Sequence, residues 1–184
     1  MNTPAEENLV DHLITDLDEI ARLSELNSKC NDEFRSCLRR GKLCSDDKQL
    51  DALVHAILAE VAPLIDCRTC ANCCLKMCVI IDDQDIERVA KRLGVSAEEF
   101  ESEHVAADSE YGEKFMPEEP CPLLGGTVCT IYEDRPKVCR EFPHLDKDSF
   151  RTRLMGVFGS AEVCPIVFNV LEELKRRTNW QPRP

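Results

Sequence analysis

The stretch Cys67-Arg68-Thr69-Cys70-Ala71-Asn72-Cys73-Cys74-Leu75-Lys76-Met77-Cys78 sets five thiols in twelve residues. Thiols crowded this closely are either oxidised to disulfides or hold a soft, heavy ion. A compartment that keeps thiols reduced favours the ion. The first residues are acidic and polar, with no basic start followed by an apolar run, so no export signal is read and a cytoplasmic location is expected. Four more cysteines follow, at Cys121, Cys129, Cys139 and Cys164.

Cys67, Cys70 and Cys73 have C-x2-C-x2-C spacing. Two intervening residues let a turn aim thiolates at one centre, as zinc ribbons do with half of this pattern and bacterial ferredoxins with the triple. A fourth ferredoxin-like cysteine would fall at Met77, so a further ligand must come from elsewhere in the chain. In extended backbone the adjacent Cys73 and Cys74 would point to opposite faces. Either one of them is a bystander or the pair straddles two centres, and two centres are favoured. Eight of the nine cysteines from Cys67 onward would fill two four-thiolate sites: Cys67, Cys70, Cys73, Cys74, Cys121, Cys129, Cys139 and Cys164, with Cys78 left over. A zinc ion or a 4Fe–4S cluster held by four thiolates carries about two negative charges, so charge does not choose between them. Arg68, Lys76, Arg135, Lys137 and Arg140 can offset that charge. Disulfides, or buried and inert thiols, are the weaker alternatives.

The chain of 184 residues is long enough for one domain with an extension, and a core can form without cross-links. Its net charge of -12 lacks the basic face of a nucleic-acid binder and argues equally against anionic membranes. No apolar run reaches the length of a membrane span.

Upstream, residues from about 5 to 40 have helical periodicity through Leu9, Leu13, Leu17, Ile20, Leu23 and Leu26, closing at Gly41. Cys30, Cys37 and Cys44 recur every seven residues, but on a helix that is about 10.5 Å of rise, too far for one tetrahedral ion. Cys30 and Cys37 are therefore expected to fill small apolar positions. Ser45 is the expected cap of a second helix with a stripe of Leu50, Leu53, Val54, Ile57, Leu58 and Val61. The two helices form an expected hairpin extension, residues 1–64, with a surface for a protein partner or a second copy.

Downstream, Val79-Ile80-Ile81 reads as a strand. Asp82 caps a helix ending at Leu93-Gly94, and Ser96-Ala-Glu-Glu99 is a capping box. Gly125-Gly126 between apolar runs predicts a hairpin presenting Cys121 and Cys129. Pro136 suits the first position of a turn bearing Cys139 and Arg140. A last helix is expected from about 166 to 177. The fold class expected is mainly α with minor β: a small metal-stabilised cysteine-cluster domain over 65–184, behind the helical hairpin.

These residues resemble the YkgJ-type cysteine-cluster family, described as a zinc- or iron-chelating domain. The resemblance rests on Cys67-x2-Cys70-x2-Cys73-Cys74, Asp85-Ile86, Leu93-Gly94, Glu98-Glu99-Phe100, Cys121-Pro-Leu-Leu, Cys129-Thr-Ile-Tyr-Glu-Asp-Arg135-Pro136-Lys-Val-Cys139-Arg140-Glu-Phe-Pro143 and Cys164-Pro165. Asn72 stands where the family usually has Gly, and Cys78 is extra. The resemblance implies metal chelation by the eight matched cysteines, with structural, sensing or electron-transfer use. One relative, the flagellin lysine methylase, implies an alternative: iron–sulfur-dependent protein methyl transfer. Two features count against it here. The chain lacks C-x3-C-x2-C, since Met77 and Ile81 fall at the places a third cysteine would occupy, and it lacks a glycine-rich nucleotide loop. No catalytic residue is identified. Arg135 and Arg140, with Tyr132, are candidates for a cofactor or anion site beside the metal, although neutralising thiolates is the favoured role. His144 is a reserve ligand.

Overall fold

The structure is a computed structural model that describes residues 9–117 and 119–182. Helices α1 (Leu17–Leu26), α2 (Ser28–Arg39) and α3 (Asp47–Val61) come first. Two short helical turns follow, α4 (Cys67–Cys70) and α5 (Asn72–Lys76), then strand β1 (Val79–Ile80). Helices α6 (Asp83–Leu93) and α7 (Ala97–His104) lead to strands β2 (Ala106–Ala107), β3 (Lys114–Met116), β4 (Leu124–Gly125) and β5 (Val128–Cys129). The last helices are α8 (Lys137–Glu141), α9 (Leu154–Ser160) and α10 (Pro165–Arg177). The fold is mainly helical with little strand, as the periodicity predicts.

The chain divides into two compact units, one holding residues through Ile65 and from Pro143 onward, the other Asp66–Phe142. The segment after Pro143 was expected to belong with the cysteines; it is instead grouped with the N-terminal helices. The reason lies in the apolar faces. α10 packs on α3, and Val54, Ile57, Val61, Val167, Val170 and Leu174 are all fully buried. Each such side chain removed from water contributes about 1.5–3 kcal/mol before entropy is charged.

Polar contacts fix this first unit at three points. The Asn169 side chain accepts from the Ile14 amide at 2.9 Å and donates to the Ile14 and Pro165 carbonyls. Arg177 bridges Glu60 of α3 and Glu173 of its own helix. The buried Asp51 accepts from the amides of Ser149 and Phe150 at 2.8 and 2.9 Å. The single helix expected over 5–40 is divided: a 3-10 turn at Leu9–His12 precedes α1, and α1 gives way to α2 at Asn27, which makes no side-chain cap bond. Residues 5–8 of that expectation lie outside the described residues. Asp46, not Ser45, caps α3, accepting from the Gln49 amide at 3.0 Å. Cys30, Cys37 and Cys44 are half-buried in this unit.

The second unit is built on a three-stranded antiparallel sheet in the order β1-β3-β2, with Val79 opposite Met116 and Ala106 opposite Phe115. A second antiparallel pair, β4 with β5, places Leu124 opposite Cys129. One apolar cluster unites them: Val79, Ile81, Ile86, Val89, Phe100, Met116, Leu123 and Ile131. The helix signals act where they were predicted. Asp82 accepts from the Asp85 amide at 2.8 Å, Ser96 from Glu99 at 3.1 Å, and Gly94 takes a φ of 78° that ends α6. Lys114 on β3 pairs with both Asp83 and Glu101, tying the sheet to α6 and α7.

Asp51→Ala is expected to lower stability by about 2 kcal/mol, because two buried amides lose a charged acceptor. Urea unfolding of the full chain measures it; an unchanged midpoint would remove the carboxylate from this role.

Candidate metal centre

The local backbone of the cysteine stretch is helical rather than extended. Asp66 caps α4 by accepting from the Arg68 amide at 2.9 Å, so Cys67 and Cys70 share one face three residues apart. Ala71 then takes a left-handed φ of 51°, which stops α4 and starts α5 in a new direction. Asn72, in the family's glycine position, is helical and buried at the first position of α5, and the left-handed residue is the one before it. Holding Ala in this conformation costs roughly 1 kcal/mol. The helical turn also changes the geometry of the adjacent pair. The sulfurs of Cys73 and Cys74 lie 4.0 Å apart, whereas extended backbone would have sent them to opposite faces. In tetrahedral zinc with Zn–S near 2.3 Å, two thiolate sulfurs stand about 3.8 Å apart, so sulfurs at this spacing can serve one ion or stand between two neighbouring centres.

Three further elements bring in the other thiols. The Cys121 amide donates to the Cys74 carbonyl at 2.8 Å, which clamps the start of the hairpin to α5. Gly126, at a φ of 68°, occupies the first central position of the two-residue turn between β4 and β5. Thr130 closes that hairpin, its amide and hydroxyl both donating to the Leu123 carbonyl. Cys129 is thereby carried on β5 and Cys121 just ahead of β4. Cys139 rides on α8, whose position is set by Asp85. Both carboxylate oxygens of this buried residue accept from the Lys137 amide, at 3.0 and 3.1 Å, at the first turn of the helix. Arg88 pairs with the same carboxylate and donates to the carbonyls of Asp134 and Arg135. Pro136 is the residue just before α8, one place earlier than expected.

Together these elements enclose a cavity of about 270 Å³ within the second unit. Seven cysteines line it: Cys67, Cys73, Cys74, Cys78, Cys121, Cys129 and Cys139. Cys70 lies off the wall on the same turn as Cys67, and Cys164 is buried in the first unit, capping α10. His144 also falls in the first unit, with a left-handed φ of 59°. Cys78, left over in the spacing argument, is on the wall. Its C-x3-C spacing from Cys74 is the local signal that could have marked it. Met77, Met116, Leu123 and Val138 supply an apolar remainder.

Among the described residues no three His, Cys, Asp or Glu groups already converge on one point. The thiols nevertheless feel one another. Burial pushes the Cys139 thiol up to about 12, with further contributions from Cys74, Cys121 and Cys129. Cys74 is pushed up first by its contact with Cys73, then by burial, and Cys67 and Cys129 are raised chiefly by burial. Arg135 opposes the rise at all four, by less than burial imposes. Shifted this way, the four thiols favour their protonated form, and a metal taking them as thiolates would have to displace protons. Arg135 lies over the Tyr132 ring at 3.8 Å and donates to the Tyr132 carbonyl, while Arg140 donates to the Arg135 carbonyl. Both arginines and Tyr132 face the cavity. A soft donor set, an enclosed volume and a cation at the wall fit a thiolate-bound metal.

The fold and cavity define a mainly helical protein with a thiol-lined chamber. The family model described as "CxxCxxCC: putative zinc- or iron-chelating domain" matches residues 66–156. This segment belongs to that family, the YkgJ-type cysteine-cluster proteins. No curated protein and no solved structure gives a significant match.

Asp85→Ala should destabilise the second unit by about 3 kcal/mol, since it strands Arg88 and unbinds the first turn of α8. Asp85→Asn, which keeps one acceptor, should cost less. Denaturant unfolding of the metal-free chain tests both, and equal stability of all three proteins would contradict the anchoring role.

Proposed function

We propose that this protein binds zinc or an iron–sulfur cluster through cysteine thiolates, in a structural, sensing or electron-transfer role in the cytoplasm. The observation that supports this reading most is the seven-cysteine wall of one cavity within a single unit. The proposed ligands are Cys67, Cys70, Cys73, Cys74, Cys121, Cys129 and Cys139, with Cys164 added on the family pattern. A bound zinc ion would cross-link the turns, and a bound cluster would add one-electron chemistry. Arg135 and Arg140 are proposed to offset thiolate charge rather than to bind a substrate, because both guanidinium groups are engaged by backbone carbonyls. No observation favours methyl transfer. A binding role for the N-terminal helices, toward a second copy or another protein, belongs to the same reading. The mass of the full chain in solution reports it better than truncation, which would strip α3 from α10.

The full chain purified without oxygen should contain zinc or iron, brown if it holds a cluster. Adding the metal to chelator-treated protein should release protons and shield thiols from alkylation. Metal-free protein whose thiols stay fully reactive in the presence of both metals would overturn the reading.

A further inference from the structure

The thiols of the cavity differ in how they are held. Cys121, Cys129 and Cys139 pack against the apolar cluster of the second unit. They arrive from three separate elements, the approach to β4, β5 itself and α8. Cys74 is joined to them by the bond from the Cys121 amide to its own carbonyl. Each of these four is at least half-buried, and each carrier is fixed, by the Cys74–Cys121 link, the Thr130 closure or the Asp85 anchor. Cys67 and Cys78 are exposed, and Cys70 lies off the cavity wall. The turn that carries Cys67 and Cys70 is held at its start by an exposed Asp66.

Resting on the metal-binding reading above, we propose that Cys74, Cys121, Cys129 and Cys139 form a self-contained inner site that fills first. Cys67, Cys70 and Cys73 belong to a separate outer site that exchanges its metal readily. Filling the inner site with Zn²⁺ replaces four S–H protons by four Zn–S bonds, releases four protons and leaves a complex of net charge −2. The Cys139 thiol lies near enough to Cys74, Cys121 and Cys129 to be raised by each of them. The two sites meet at Cys73 and Cys74, which sit side by side on α5 with sulfurs 4.0 Å apart. Cys67 stands on an exposed residue of a short turn, where a competing ligand can reach a bound metal, whereas Cys121, Cys129 and Cys139 pack against the apolar cluster.

The test is a Zn²⁺ titration of the metal-free full chain under reducing conditions, with pulse alkylation and peptide mass analysis at each addition. At one equivalent, Cys74, Cys121, Cys129 and Cys139 should be protected while Cys67 and Cys70 still react. Transfer to a chromogenic chelator from fully loaded protein should show a fast and a slow phase. Cys67→Ser should lose the fast phase and keep the slow one; Cys139→Ser should lose the slow phase. Protection of Cys67 and Cys70 before the inner four, or uniform protection of all thiols together, would overturn the division while leaving metal binding intact. A chain that takes up no zinc would overturn the division and leave the metal-binding reading to iron alone. Because the alkylation pattern is read on the unaltered protein, a poorly folding variant does not blunt the test.

Discussion

Asp85 is the constraint on which the cysteine unit turns. A carboxylate buried this deeply must be paired and fully hydrogen-bonded or it destabilises the fold. Here it meets that demand by gripping Arg88 on its own helix and the first amide of α8 more than fifty residues later. Arg88 extends the grip to two carbonyls of the preceding turn. The consequence is positional. α8 is only five residues long, too short to be stable by itself, yet it must carry Cys139 to a defined place. Asp85 and Ile86 fall within the family pattern, and their roles differ: Ile86 fills the core while Asp85 locates a thiol.

The rest of the unit follows from a shortage of other means. Its strands are two or three residues long and two of its cysteine turns are a single helical turn each. Elements this short do not stand alone in water. One apolar cluster under the sheet and two capped helices provide the frame, and the thiol-bearing turns sit on its edge. Crowded neutral thiols are tolerable in that position, because burial favours their protonated form. A bound metal would reverse that preference, because it takes the thiolate form.

Local signals were legible in the sequence wherever a short-range bond decides the outcome. The caps at Asp82 and Ser96, the stop at Gly94 and the hairpin turn that begins at Gly126 each depend on neighbours within four residues. What escaped depends on distant partners. Nothing near Val79 says that it pairs with Met116, and nothing near Asp85 says that it binds Lys137. The expected unit 65–184 ends in the C-terminal helix, and the apolar face of that helix packs on α3, a partner that nothing in its own stretch of sequence names. The reading of Cys73 and Cys74 as diverging assumed extended backbone, which the left-handed Ala71 and the turn after it replace. Cys78, left over in the spacing argument, reaches the cavity wall after the extended Met77 that ends α5.

The central claim, that the chamber holds a metal through sulfur alone, is tested most directly by X-ray absorption at the metal edge of the protein as purified without oxygen. The account predicts a first shell of sulfur at about 2.3 Å, with a metal–metal shell added if iron is present as a cluster. A first shell of nitrogen or oxygen near 2.0–2.1 Å, the range of about that length for histidine and carboxylate ligands, would contradict it.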